Sequence, residues 1–410
     1  MEQLFKTSQK QVLNQIGLNQ IMVAHMDDTI LKKTGKKVPG TSWRRDPLGP
    51  PFQTNFIWGQ RFIQISMALP NHHGGLGQSR AIPVDFSHCP TAKRPGKRAT
   101  QQQKQLYKEQ QKQLNLSIQG IECIRKLRRN LDEHGARTRE LYMCVDGSFT
   151  NANIFKNLPQ RVTVIGRIRK DSRLHKSQVD NKGVGRKKVY GHQIPCPEQI
   201  RQSEDYPWQQ VKGWAAGKQH EFNVKVVKDL KWQPAGAKQT LQMVVIRPLA
   251  YRLTQKSRLL YRNPTYLICT DNNLDVEKLL QAYLWRWEIE VNFRDQKTIL
   301  GAGKAQVRNP KSVESVPAFI AAAYSFLLLA SHKANKIPGK EKLLPRAKWY
   351  QPKENQRLTT GDMINNLRAQ LWAKALGCDS FTGFVKQQNE TRSRKNITNP
   401  LSSALFYRRN

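Results

Sequence analysis

Carboxylates are scarce in this sequence. Its 410 residues include 30 Asp and Glu against 69 Lys and Arg, a formal net charge of +39. The excess is spread along the whole chain, which excludes a cationic partner and calls for a polyanion, nucleic acid being the default. Paired cysteines are missing as well. The six Cys form no CxxC pair and no Cys/His ligand spacing, and neither His72-His73 nor His88-Cys89 is followed by a second half at zinc-site distance. A zinc module and a disulfide framework are thereby excluded, and buried or free thiols in a reducing compartment are expected. No internal repeat is present, and Met1-Glu2-Gln3 begins no signal peptide. The most apolar run, VPAFIAAAYSFLLLA (316–330), is too short to span a bilayer and reads as a core helix with Pro317 in its first turn. No membrane partner is expected.

What is present alternates in period. Residues 1–17 read as a short amphipathic helix, and LNQIMVAHM as a strand that ends in Asp27-Asp28-Thr29. A basic Gly/Pro-rich loop leads to a strand over 55–69. Residues 71–99, with KRPGKR at 93–98, read as loop, and 100–134 as helix stopped by Gly135. ELYMCV (140–145) is a compact strand broken by Asp146-Gly147-Ser148; a short helix and the strand RVTVIGRIR follow. From about 175 to 264, short β-like pieces alternate with polar turns, a β-rich insertion. TYLICT returns to a buried strand, and Asp271-Asn272-Asn273 leads into a long helix. Thr360 opens one more helix, closed by Gly377, and the tail beyond is expected to be mobile. The expectation is a mixed α/β core in two parts, 18–174 and 265–335, with a basic helical region at 336–410. Asp27 and Asp146 stand where α/β folds tend to place their sites, at carboxyl ends of strands.

The long helix carries the most specific pattern. Tyr283, Arg286, Glu290 and Lys297 lie at offsets 0, 3, 7 and 14, within a stripe roughly 60° wide at about 100° per residue. Leu280, Leu284, Trp287 and Val291 form an adjacent apolar stripe, which makes Trp287 a core residue and leaves Trp285 as the one able to stack on a base. An ordinary solvated face with Arg286–Glu290 pairing would show the same helix spacing. It would not explain the two strand-associated aspartates that precede it in order.

Together these residues resemble the DDE transposases of bacterial insertion sequences, in the branch with the Tyr-Arg-Glu-Lys signature. Tyr283, Arg286, Glu290 and Lys297 stand at that spacing, with HMDDTILKKTGKK around the first aspartate and LYMCVDGSFTN through VIGRIRKDSRL around the second. The resemblance covers about residues 20–335. It implies a ribonuclease-H-like core with a β insertion, and a metal-binding triad of Asp27, Asp146 and Glu290, with Asp28 and Asp171 as alternatives. It further implies cleavage of element ends in double-stranded DNA and strand transfer into target DNA. A homodimer on paired ends, paired through the region after 335, and a bacterial cytoplasmic, nucleoid-associated setting complete the picture. Members carry a helical DNA-binding domain ahead of the first aspartate; here 26 residues precede Asp27, so a remnant helix and end recognition elsewhere are expected.

The chemistry behind the triad is general. Three carboxylates brought together repel unless cations offset them, so two Mg²⁺ or Mn²⁺ ions are expected, and such a pair can clamp a phosphodiester. Arg286 suits bidentate phosphate binding, Lys297 a point charge and Tyr283 a hydroxyl donor, with Arg294 as a further phosphate contact. Arg167, Arg169 and Lys170 are read as lining the DNA path or flanking the core strand, and NKGVGRKK (181–188) as a solvated loop or a phosphate contact. A nuclease of the same fold and a DNA binder without activity are the competing functions. In each case binding to duplex DNA should fall steeply between about 50 and 200 mM salt, because neutralised phosphates release counterions. Filter binding across that range checks this, and a flat response contradicts the electrostatic reading.

Overall fold

The computed structural model describes residues 1–18, 20–46, 49–50, 53–71, 77–177, 188–252, 254, 257–335 and 357–375. His72-His73, residues 181–187, Gly377, Cys378 and the terminal tail lie outside the described residues. The chain forms two compact units, Met1–Ala322 and Ala323–Asn410.

In chain order the first elements are α1 (Glu2–Leu13), β1 (Met22–Lys32), β2 (Ser42–Arg45), β3 (Phe56–Pro70) and β4 (Ser79–His88). Helices α2 (Gln101–Gln113) and α3 (Leu116–Glu133) precede β5 (Leu141–Val145), α4 (Ala152–Phe155) and β6 (Val162–Arg167). The insertion contributes β7 (His175–Ser177), β8 (Tyr190–Gln193), α5 (Pro197–Gln202), β9 (Gln209–Ala215), β10 (Lys218–Lys231), β11 (Leu241–Ile246), β12 (Ala250–Tyr251) and β13 (Leu260–Tyr261). Then come β14 (Thr265–Cys269), α6 (Val276–Trp285), α7 (Trp287–Thr298), α8 (Pro310–Asn335) and α9 (Thr360–Ala375).

The architecture is α/β around a mixed 12-stranded sheet. Its order is β2-β3-β1-β5-β6-β14-β11-β10-β7-β8, with β4 also on β3 and β9 also on β10. β1 runs antiparallel to β3 and parallel to β5, and β5 runs parallel to β6. The strands of the insertion extend this same sheet, through β11 on β14.

Alternation along β1 divides its side chains between two faces. Val23, with Cys144, Ile165, Leu267 and Cys269 of neighbouring strands, packs under Leu280, Ala282 and Trp285 of α6. Met26 points the other way, toward α3, where a Cβ on Gly120 would stand 3.3 Å from the Met26 side chain. Asp27 and Asp28 therefore face opposite sides of the sheet.

Several expectations are corrected. β1 does not stop at Asp27 but continues to Lys32, because Asp27 to Lys32 pair with Gln64 to Gly59 of β3. Asp27 instead stands one residue past the end of the parallel ladder, after Met26 opposite Val145, level with Asp146. β4 lies within the expected loop 71–99; Pro83, at a bulge in its pairing with β3, interrupts the strand signal. The expected helix over 100–134 is two helices, separated where Asn115 caps α3. Helix α8 starts at Pro310, capped by Asn309, so Pro317 lies inside it. Pro310–Ala334 is long and apolar enough to cross a membrane by length and composition, and half of its most apolar window is buried. Ala318, Ala321 and Ala322 pack there with Phe5, Leu31 and Phe62. The described cysteines are free, and all but Cys196 are buried.

One buried group couples this packing to pH. His25 is fully buried beneath α6, and neither ring nitrogen has a well-aligned hydrogen bond among the described residues. Burial first, then the Arg286 charge, pull its pKa from 6.5 down to about 3. The native chain thus keeps His25 neutral while the unfolded chain binds a proton below 6.5, so stability falls as pH drops from 6.5 toward 3. His25→Leu should reduce the loss of stability between pH 7 and 5, by about 1.4 kcal/mol for each pH unit below 6.5. Denaturant midpoints at both pH values measure it, and an unchanged difference contradicts the assignment.

Candidate active site

Asp146 follows β5 directly and opens a tight turn. Its Oδ1 accepts hydrogen bonds from Ser148 N–H at 3.0 Å, Ser148 Oγ at 2.7 Å and Phe149 N–H at 3.3 Å. Thr150 Oγ1 donates to the Asp146 carbonyl at 2.7 Å, an Asx-type turn that fixes the carboxylate. Buried Phe149 anchors it. Gly166 of β6 lets the turn sit close, since a Cβ there would fall 2.4 Å from Thr150 Oγ1. Asp146 Oδ2 accepts no hydrogen bond among the described residues.

Glu290 and Arg286 come from the other side of the site. The expected long helix is α6 and α7 joined at Arg286, where Arg286 N–H bonds to Tyr283 O and Ile289 N–H to Arg286 O, both at 3.0 Å. These i to i−3 bonds tighten the helix locally. Helix α7 is fixed on β3 by a buried polar network. Gln64 Nε2 donates to Ser66 Oγ and Asn292 Oδ1, Ser66 Oγ donates to Asn292 Oδ1, and Gln296 Nε2 donates to Gln64 Oε1. With every member paired, such a network sets register.

Asp27, Asp146, Tyr283, Arg286 and Glu290 line one cleft of about 1050 Å³. Arg286 Nη1 is 2.9 Å from Asp27 Oδ2 and 3.7 Å from Glu290 Oε1. The two carboxylate oxygens are therefore no farther apart than these distances combined, about 6.6 Å. Burial pushes the Asp27 pKa up to about 8, reinforced by the Asp146 charge and then Glu290; Arg286 pulls it back only in part. Burial opposes the charge on Arg286, but Tyr283, Asp27, Glu290 and Asp146 outweigh it and hold its pKa above the ordinary value. The Tyr283 phenol is raised by burial.

The rest of the cleft is largely basic. Arg167, Arg169 and Lys170 line it, joined by Arg201, Glu198 and Tyr266. The last three form a unit in which Tyr266 donates to Glu198 and Arg201 pairs with it at 2.6 Å. Bonding to Arg201 draws Glu198 down to about 2. No local pattern marks these residues; Glu198 and Arg201 sit on α5 of the insertion, which lies on β11, and Tyr266 sits on β14.

Asp28 lies 3.1 Å from Arg61 Nε, on the opposite face from Asp27. Asp171 is on the cleft wall, exposed, with both oxygens taken by Arg169, whose hydrogen bonds lower its pKa. Lys297 does not line the cleft; it is half-buried, its pKa lowered by burial although Glu290 and Asp28 act to raise it. Arg294 is exposed and pairs with Asp295 at 3.0 Å. The tryptophans are reversed from expectation. Trp285 is 4% exposed and donates from Nε1 to Gly77 O at 2.8 Å, whereas Trp287 is 65% exposed. The buried face of α7 is Ile289, Asn292, Phe293 and Gln296, set against the polar patch on β3, and an apolar stripe does not reveal it.

Three oxygen-donor acids of this kind suit a hard divalent cation. The free Asp146 oxygen and the raised Asp27, which a cation would restore to its charged form, fit that group. Among the described residues no three such side chains already stand together as a ligand cluster; Arg286 holds two of the carboxylates instead. No family model matches the chain, and no curated protein matches it.

The Trp assignment is directly testable. Trp285→Ala should cost about 3–5 kcal/mol, as for a large core aromatic, and Trp287→Ala less than about 0.5 kcal/mol. Denaturant unfolding of both variants measures this, and a larger loss in Trp287→Ala contradicts the packing described.

Proposed function

We propose that the chain is a metal-dependent enzyme acting on DNA phosphodiesters: a DDE transposase on a ribonuclease-H-like core that cleaves element ends and transfers strands. One observation carries this reading: acids from β1, the β5 turn and α7 gather around a single guanidinium in a basic cleft. The sheet order supports it too. In β4-β3-β1-β5-β6, three antiparallel strands are followed by two strands parallel to β1, with Asp27 on the central strand and Asp146 just past the next.

Asp27, Asp146 and Glu290 would hold Mg²⁺ or Mn²⁺, which when bound would supply Lewis-acid stabilisation of the attacking and leaving oxygens. Arg286 orients the scissile phosphate, since its planar fork can exchange carboxylate for phosphate oxygens. Tyr283 donates from beside it. Arg167, Arg169, Lys170 and Arg201 draw the DNA backbone along the cleft wall. Tyr266 and Glu198 keep the Arg201 guanidinium oriented toward that path.

A nuclease without strand transfer shares every one of these features. A binder without activity is favoured by the Arg286 contacts, which already neutralise part of the acidic cluster.

One assay separates the three. Wild-type protein with labelled duplex and Mg²⁺ should nick DNA and join a 3′-hydroxyl end to a second duplex. Asp146→Asn and Glu290→Gln should each lower nicking by about 10²–10³-fold. Nicking without joining selects the nuclease. No metal-dependent nicking, or full activity in both variants, overturns the catalytic assignment.

A further inference from the structure

A second cavity, of about 280 Å³, lies on the face of the sheet that carries Asp28. Its floor is Arg44 of β2 and Arg61 of β3, and its walls include Cys89, Tyr107 and Gln111 of α2, and Asn115 at the start of α3. Arg61 stands opposite Ile30 across β1 and β3, hence on the side of Asp28 and away from Asp27.

Arg44 is the anomaly. It is 6% exposed, yet no carboxylate lies within ion-pair distance of it among the described residues. Its Nη2 donates to the Cys89 carbonyl at 3.2 Å, and its Nε has no partner. Arginine is almost never fully buried unless paired, because an uncompensated charge in the interior is strongly disfavoured. The surroundings add to the imbalance. Arg61 brings a second cation; Asp28 is ion-paired with Arg61 at 3.1 Å and offsets the Arg44 charge only from beyond ion-pair distance. Helix α3, 18 residues long, begins at the cavity wall, where Asn115 accepts from Ser117 N–H. The positive end of its dipole lies at this wall beside the negative end of α2, so the two guanidiniums carry the positive charge of the cavity. Burial, and then Arg61, disfavour the charge on Arg44, and Asp28 offsets them only in part.

We propose that this cavity binds a phosphate group, held by Arg44 and Arg61 at the N-terminus of α3. A tetrahedral oxyanion answers both guanidiniums at once and can take a bidentate fork from Arg44. On the wall, Gln111 Nε2 donates to the Tyr107 hydroxyl at 3.1 Å, which leaves that hydroxyl's proton as a neutral donor. The volume is at the low end for small-molecule sites, which suits a phosphate with its nearest substituent. That phosphate can be free or belong to a nucleic-acid backbone. For the second source the chain offers a path, because KRPGKR at 93–98 follows directly from Ala92 in the wall, and its four cationic side chains are exposed. The proposal is independent of the cleavage reading, since Asp27 and Arg286 lie on the other face of the sheet.

The test uses the full chain in about 150 mM chloride, with inorganic phosphate as probe. Arg44→Met removes the guanidinium, and Lys212→Met, at an exposed position of β9, is the control of equal charge change. Millimolar phosphate should raise the melting temperature of wild type and Lys212→Met by about 2 °C or more. Arg44→Met should not respond, and in phosphate-free buffer it should melt at or above wild type, since an apolar side chain replaces an unpaired charge. An equal phosphate response in Arg44→Met overturns the proposal, as does a phosphate-free melting point well below wild type. Should Arg44→Met fail to fold, Arg44→Lys keeps the charge without the fork. Calorimetric phosphate affinity at least fivefold weaker than wild type supports the site, and unchanged affinity overturns it. A labelled duplex then identifies the source. Affinity lowered by Arg44→Met beyond the control assigns the phosphate to nucleic acid, and affinity equal to the control assigns it to a free ligand.

Discussion

Arg286 is the pivot of this structure. Three acids converge on one cleft in a chain short of acids, and two of them lean on the same guanidinium nitrogen. Two unit charges 4 Å apart at an effective dielectric of about 20 interact by about 4 kcal/mol. Without a cation among them, part of the cluster would therefore give up its charge. Asp27 registers this strain, its pKa raised by burial and by its two acidic neighbours even with Arg286 in place. The polar network of Gln64, Ser66, Asn292 and Gln296, and the Asx turn at Asp146, hold the acids where this repulsion has to be met. A cluster that needs positive charge is suited to receive it from cations and phosphate.

Much of the site could be read in the sequence because it is local. The offsets of Tyr283, Arg286 and Glu290 follow from helical geometry, and the tightening at Arg286 does not disturb them over two turns. Asp146 follows a compact strand and begins a recognisable turn.

What could not be read depends on partners distant in sequence. The continuation of β1 through Asp27 comes from β3, and β4 was hidden by Pro83. The buried face of α7 is polar because β3 offers Gln64 and Ser66 there, so hydrophobic periodicity assigned Trp285 and Trp287 to the wrong sides. Lys297, about four turns from Tyr283, falls outside the cleft. The isolation of Arg44 is a tertiary fact as well: nothing in SWRR shows that a neighbour will fail to supply a carboxylate.

The central claim is that Asp27, Asp146 and Glu290 form one cation-binding unit. Calorimetric titration of the metal-free protein with Mn²⁺, in the absence of DNA, addresses it without relying on turnover. The account predicts saturable uptake by the wild type, release of protons near pH 7 as Asp27 charges, and loss of that uptake in both Asp146→Asn and Glu290→Gln. Uptake of equal strength in the wild type and both variants, or none in any of them, would contradict it.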